Sequence, residues 1–154
     1  IRKGFKKRSN EKDYQQFVTI KRMVRDLNLD MEIKGVPTVR EADGLAMSSR
    51  NVYLSAEERK SALCLSRSLA MAKRLFEAGE TEAAKILDQV CGYIRSHAYT
   101  AIDYVKISDV DTVEEVRTAG RHAFIAMAVR IGKTRLIDNY VFGEDLNISY
   151  SEER

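Results

Sequence analysis

Val39–Ser55 reads V-R-E-A-D-G-L-A-M-S-S-R-N-V-Y-L-S, and it divides the chain into two unlike parts. It gathers a glycine (Gly44), two adjacent hydroxyls (Ser48, Ser49) and a guanidinium (Arg50) into one polar run. Rotatable hydroxyl donors beside a planar cationic fork suit an anionic guest, and phosphate is the natural one. The same residues also describe an ordinary loop that ends in a helix cap. The run by itself leaves both readings open.

Upstream, Met31–Val36 alternates like a short strand, and Pro37, the only proline, ends it. Before that strand, Phe17, Ile20, Val24 and Leu27 recur at helical spacing and define one apolar face through about Asn28. Asn10 followed by Asp13 resembles the start of this helix, an N-cap with an acidic N3. A helix followed by a strand is half of a βαβ unit whose first strand is missing, which points to a fragment. Lys12, Asp13 and Gln16 fall in the first turn and a half of the helix. Its exposed N–H groups and positive dipole end suit phosphate there, as they also suit a plain solvated helix start. Residues 1–9, I-R-K-G-F-K-K-R-S, hold five Lys or Arg and little to bury. A disordered or non-native arm is expected, with a nucleic-acid arm as the alternative.

Downstream, Ser55-x-x-Glu58 is a capping box that opens a long helix. Leu65, Leu69, Ala72 and Phe76 mark its buried face, and Gly79 is its stop. A second helix is expected from about Thr81 with Ala84, Leu87, Cys91 and Ile94 as its apolar stripe. Short connections make the two antiparallel neighbours. Ile102–Ile107 is rich in strand formers, and Asp111 and Glu114 are expected to cap a short helix, T-V-E-E-V-R, which stops near Gly120. Ala123–Ile131 holds a continuous apolar run, F-I-A-M-A-V, as in a strand covered on both faces. Gly132-Lys133 turns the chain, and Thr134–Phe142 returns as the antiparallel partner. The tail from Gly143 is expected to be frayed.

Composition narrows the class. A chain of 154 residues, 44% hydrophobic and 32% charged, fits a soluble globular protein of one domain or one domain plus part of another. A net charge of +3 is too small and too mixed to argue for nucleic acid. Cys64 and Cys91 lack metal-type spacing and read as buried free thiols in a reducing cytosol. No apolar run approaches membrane length. Gly132-Lys133-Thr134 echoes the end of a P-loop, but Met127 stands where the first glycine is needed. His97 and His122 lack ligand partners at metal spacing, so helix-end or core roles are expected for them.

Four motifs carry a resemblance. E-K-D-Y-Q-Q at Glu11–Gln16, R-M-V-R-D-L-N-L at Arg22–Leu29 and V-P-T-V-R-E-A-D-G-L-A-M-S-S-R-N at Val36–Asn51 closely resemble the pantothenate synthetase (pantoate–β-alanine ligase) family. T-R-L-I-D-N at Thr134–Asn139 matches the end of that family, so the resemblance covers about Glu11 to Asn139. It implies an α+β fold: a C-terminal domain with a small antiparallel sheet and packed helices, preceded by the last helix–strand piece of a Rossmann-like nucleotide-binding domain. The expected division is an arm at 1–9, the Rossmann-like remnant at 10–38, the lid domain at 39–142 and a flexible tail at 143–154. The implied reaction is attack of pantoate's carboxylate on the α-phosphate of Mg-ATP, giving pantoyl adenylate and diphosphate. The amine of β-alanine then takes the acyl group and releases AMP and pantothenate, on the route to coenzyme A.

By the same resemblance, Lys12 contacts the phosphates, and Asp13 lies beside it in the ATP site, on the ribose. Gln16 orients pantoate, and the backbone of Val39 reaches the adenine side. Met47, Ser48, Ser49 and Arg50 resemble the K-M-S-K-S loop of class I synthetases, which clamps the triphosphate. Lys12, Ser48, Ser49 and Arg50 are then the catalytic candidates. The implied partners are pantoate, β-alanine and ATP with Mg²⁺, without nucleic acid or membrane, in a cytoplasmic enzyme whose full-length members pair as homodimers. Two departures stand out. K-K-R-S-N occupies the place of an apolar strand, with Asn10 where the family carries a glycine, and an asparagine side chain could obstruct close approach of nucleotide to backbone. The chain also has no His-x-Gly-His, the family's adenylation motif. The expectation is a chain inactive by itself; the alternative is a non-catalytic interaction or regulatory fragment.

Overall fold

The computed structural model describes residues 5–10, 14–146 and 148. Its first unit is β1 (Phe5–Asn10), α1 (Tyr14–Asp26) and β2 (Met31–Val36). The two strands pair in parallel, from Phe5 against Met31 to Asn10 against Val36. A parallel pair needs a crossover, and α1 supplies it. Two expectations are corrected here. Residues 5–10 form a strand where a disordered arm was expected over 1–9, so the βαβ unit has its first strand; residues 1–4 lie outside the described residues. Asn10, expected as an N-cap, is the last residue of that strand; Asp13, its expected N3 partner, lies outside the described residues. Ladder bonds are made by backbone N–H and C=O groups, so a basic sequence can hold a strand that hydropathy does not announce.

α1 buries Phe17, Val18 and Val24, whereas Leu27, expected on the same face, lies beyond the last turn and is exposed. Asn28 takes a left-handed φ of 48°. Its N–H donates to Arg25 O and that of Leu29 to Val24 O, a Schellman stop with asparagine in the glycine position.

The second unit begins at Ser55, which caps α2 (Ala56–Ala62) with the expected box. Glu58 N–H donates to Ser55 Oγ at 3.2 Å, and Ser55 N–H donates to Glu58 Oε2 at 2.8 Å. The long helix is interrupted at Leu63, whose torsions stay helical while its N–H turns to Ser61 O. α3 (Cys64–Glu77) follows and buries Leu65, Leu69 and Ala72, with Phe76 half-buried. Gly79, at φ 98°, closes it with bonds from Gly79 N–H to Phe76 O and from Glu80 N–H to Leu75 O. α4 (Ala83–Arg95) buries Ala83, Ile86, Val90 and Ile94. Its buried stripe is thus one residue out of step with the expected Ala84, Leu87 and Cys91. Docking sets the phase: Ala83 N–H donates to Arg117 O, and Glu82 bridges to Thr118.

β3 (Thr100–Asp109), β4 (Ala123–Ile131) and β5 (Thr134–Val141) form an antiparallel sheet in that order. β4 lies in the middle and is buried throughout except at Arg130. Its alternate residues Ala123, Ile125, Met127, Val129 and Ile131 share one core with Leu65, Leu69, Ile86, Val90 and Ile94. On its opposite face the Phe124 ring lies 4.4 Å from that of Tyr14 on α1. Both faces are covered, as the unbroken apolar run predicts.

The short helix expected at T-V-E-E-V-R is absent. The Asp109 carboxylate instead accepts from the N–H groups of Asp111 and Thr112, both at 2.9 Å, and Val113 takes φ 63°. Those two bonds by themselves would suit a helix start, but the left-handed Val113 ends it. The segment returns along β3, where Asp109 N–H donates to Glu114 O and Val116 N–H to Ile107 O. The tail also departs from expectation over Gly143–Leu146, because Leu146 packs against the core and its carbonyl accepts from Arg40 Nε at 3.4 Å. Among the described residues no helix is long and apolar enough to cross a membrane.

Candidate functional site

The stretch Val39–Ser55 folds as a tight hairpin that runs into a short 3₁₀ helix. Arg40 and Ala46 form an antiparallel bridge. Glu41 N–H donates to Leu45 O, Gly44 N–H to Glu41 O, and Met47 N–H to Val39 O at 2.8 Å. Gly44 turns the hairpin at φ 90°, a conformation that other residues adopt at a cost. Leu45, 2% exposed, anchors the tip in the core, while Val39 and Met47 at the mouth are 51% and 54% exposed. Ser48 then caps the 3₁₀ helix Ser49–Tyr53, its Oγ accepting from Arg50 N–H at 3.3 Å. Ser49, Arg50, Val52 and Tyr53 face solvent, and Asn51 alone points inward.

Polar side chains brace this unit from beneath. Asn51 Nδ2 donates to Glu41 Oε1 at 2.6 Å and to Ala46 O at 3.1 Å. Arg59, one turn into α2, donates through Nη2 to Glu41 Oε2 at 2.6 Å and to Asp43 Oδ2 at 2.7 Å. The Arg59 hydrogen bond holds the Glu41 carboxyl below its usual range, with Asn51 helping. Burial pushes the Asp43 carboxyl up, but Arg59 and the Leu45 N–H outweigh it and the net shift is down. On the other limb, Arg40 makes a bidentate pair with Asp138 of β5, Nη1 to Oδ2 at 2.7 Å and Nη2 to Oδ1 at 3.0 Å. Its Nη1 also donates to Gly44 O. The hairpin is therefore fixed to α2 on one side and to the sheet on the other.

The structure brings Val39, Met47, Ser48, Ser49 and Arg50 into this one unit. It presents an exposed guanidinium and two hydroxyls from a braced backbone, an arrangement suited to gripping an anion. Gln16 is exposed on α1, in a separate element; Lys12 and Asp13 lie outside the described residues. Arg40, Glu41, Asp43, Asn51, Arg59 and Asp138 were not singled out from the sequence. Glu41 and Arg59 are 18 residues apart, and Arg40 and Asp138 are 98 apart, so periodicity carries no sign of either pairing. A cleft of about 220 Å³ beside Thr38 and Arg40, walled by Asn139 and Tyr140, adjoins the unit. Among the described residues no group of three or more His, Cys, Asp or Glu could hold a metal ion. His97 Nδ1 meets Tyr93 O at a helix end, and His122 pairs with Asp111 on the surface.

The family model for pantoate–beta-alanine ligase matches residues 9–141. Pantothenate synthetase of Syntrophus aciditrophicus (strain SB) is 59% identical over 138 residues, 90% of this chain and 48% of its own. That of Geobacter sulfurreducens is 51% identical over 135 residues, 88% of this chain and 48% of its own. The crystal structure of pantothenate synthetase from Thermus thermophilus superposes with a TM-score of 0.83 at 40% identity, covering 88% of this chain and 49% of that one. The pantoate–beta-alanine ligase of Francisella tularensis, complexed with beta-gamma ATP and beta-alanine, gives a TM-score of 0.62 at 26% identity, covering 92% and 45%. The chain spans about half the length of the curated relatives it matches.

Proposed function

Because the chain belongs to the pantoate–β-alanine ligase family, we propose that it forms the triphosphate-gripping part of an enzyme that joins pantoate to β-alanine with cleavage of ATP. The observation that carries this reading is the exposed Ser49–Arg50 pair, displayed by a hairpin braced from both sides. In the reaction, pantoate's carboxylate displaces diphosphate from ATP, and β-alanine's amine then displaces AMP from the acyl adenylate. Negative charge gathers on the leaving diphosphate in the first step. A cationic fork and hydroxyl donors fixed in place stabilise that charge without reorganising. Met47–Arg50 takes this task, Lys12 neutralises the phosphates, Asp13 holds the ribose, the Val39 backbone reaches the adenine side and Gln16 orients pantoate. Magnesium arrives with the nucleotide as part of the substrate. The Francisella relative's complex with beta-gamma ATP and beta-alanine supports those two ligands. The enzyme of this reading works in the cytoplasm.

We further propose that the 154 residues do not complete the reaction unaided, since they contain no His-x-Gly-His to serve adenylation. The test is AMP release by the purified chain with pantoate, β-alanine and Mg-ATP. Release that depends on both acid and amine would overturn the expectation of inactivity. ATP titration reads the clamp itself. Affinity in the millimolar range, lost on Arg50→Ala, fits a partial site. Affinity unchanged by Arg50→Ala refutes the role given to Met47–Arg50.

A further inference from the structure

Within the braced unit, none of Glu41, Asp43, Asn51 and Arg59 belongs to the run that faces solvent as the anion grip. Arg59 stands on α2, whose N-terminus is fixed independently by the Ser55–Glu58 capping box. Its guanidinium spans both carboxylates of the hairpin, with Nε and Nη2 together on Asp43 at 3.0 and 2.7 Å and Nη2 on Glu41 at 2.6 Å. Glu41 places its second oxygen on Asn51 Nδ2, and the same Nδ2 donates to Ala46 O. Those two acceptors fix which end of the Asn51 amide is nitrogen, because both demand a donor. Asn51 is the residue after Arg50, it is 6% exposed, and its Oδ1 has no partner among the described residues. A continuous polar path thus leads from a rigid helix through the hairpin to the backbone that carries Ser49 and Arg50.

We infer that Arg59, acting through Glu41 and Asn51, is a positioning residue that sets the resting geometry of the Met47–Arg50 clamp. The reason is mechanical. A 3₁₀ helix of five residues has few internal bonds and little intrinsic preference for one shape. Its orientation must come from outside. Leu45 anchors the hairpin tip, but an apolar plug fixes depth far better than it fixes rotation, because dispersion contacts are not directional. The Arg40 fork on Asp138 ties the hairpin's first limb to β5. The planar Arg59 fork on two carboxylates is directional in the same way; it holds the side that leads to Asn51 and so fixes the rotation of the 3₁₀ helix. Lysine at the same place would keep the charge but lose the fork.

The inference rests on the clamp reading above for its functional meaning, and the experiment separates the two. Amide hydrogen exchange is followed by NMR on the whole chain for wild type, Arg59→Gln and Arg59→Lys, each with and without millimolar Mg-ATP. The amides read are Glu41, Gly44, Met47 and Asn51, whose acceptors lie within the unit, with β4 amides as the reference. Expected is exchange faster by roughly tenfold at those four amides in Arg59→Gln, with β4 unchanged and Arg59→Lys in between. Unchanged exchange in Arg59→Gln overturns the inference. So does an equal increase in β4, which would make Arg59 a support of the whole fold. If the four amides respond as expected but Mg-ATP slows none of them in wild type, the positioning role stands and the nucleotide reading falls.

Discussion

Arg40 and Asp138 meet with side chains only 5% and 1% exposed. A buried pair of this kind gives stability chiefly by contrast with a broken one, since desolvating two charges offsets most of their attraction. Arg40→Ala leaves an unpaired carboxylate inside and should cost about 3–5 kcal/mol. Urea unfolding of Arg40→Ala beside the double variant Arg40→Met/Asp138→Leu checks this; the double variant should recover most of the loss. Cys64 makes a second point about burial. It is fully buried, and desolvation pushes its thiol up to about 12. Because the thiolate is the reactive form, Cys64 should resist iodoacetamide at about pH 8 until the chain is unfolded. Mass spectrometry reads this directly, and labelling of Cys64 in the native chain would refute it.

Elements here depend on each other at their ends. The β4–β5 turn places Gly132 at φ 58°, and a Cβ built on it would lie 1.9 Å from Glu58 Oε1. Glu58 is half of the capping box of α2, so the turn and the cap occupy adjoining space. Gly79, at φ 98°, has nothing within 4 Å of its would-be Cβ. The two glycines therefore separate strain from collision. Gly79→Ala should cost about 1 kcal/mol, the torsional term alone. Gly132→Ala should cost about 2 kcal/mol, because Glu58 must also leave the cap. In a Glu58→Ala background the Gly132→Ala cost should fall to about 1 kcal/mol. Thermal unfolding of the four variants measures all three quantities.

At the scale of the whole molecule, four carboxylates among the described residues sit below their ordinary range. Arg59 lowers Glu41, and Arg59 with the Leu45 N–H lowers Asp43 against the opposing effect of burial. Arg135 lowers Asp103, and the N–H groups of Thr112 and Asp111 lower Asp109. A depressed carboxyl adds stability that is fully present above its unfolded pKa and is lost as pH falls through the folded value. The chain should therefore hold its melting temperature from about pH 7 to about 5 and lose it progressively below about 4. Melts at those values in constant salt test the sign; a melting temperature that rises on acidification would contradict it.

How much was legible follows from range. Ser55 with Glu58, Gly79, the apolar run Ala123–Ile131 and the turn at Gly132-Lys133 are signals within a few residues, and each appears where the sequence puts it. The strand at Phe5–Asn10 was not legible, because a parallel ladder is written in backbone groups common to all residues. The α4 stripe was off by one residue, since Ala83, Ile86 and Val90 are as apolar as the stripe beside them and only docking on β3 and residues 117–118 chooses. T-V-E-E-V-R failed as a helix because Val113 turns left-handed and the segment pairs back along β3, with Asp109 N–H on Glu114 O and Val116 N–H on Ile107 O.

The site divides in the same way. Half-buried Ser48 and exposed Ser49 and Arg50 were visible in the sequence as candidate chemistry, and the resemblance of the motifs around them proposed a role for it. The sequence by itself determined membership in the ligase family, the α+β class and the polar run at its centre, because these reside in local order and composition. Only the tertiary structure decided what holds that run in place. Arg40 on Asp138 and Arg59 on Glu41 and Asp43 are directional contacts between residues far apart in the chain, and such contacts exist only once the fold has brought them together.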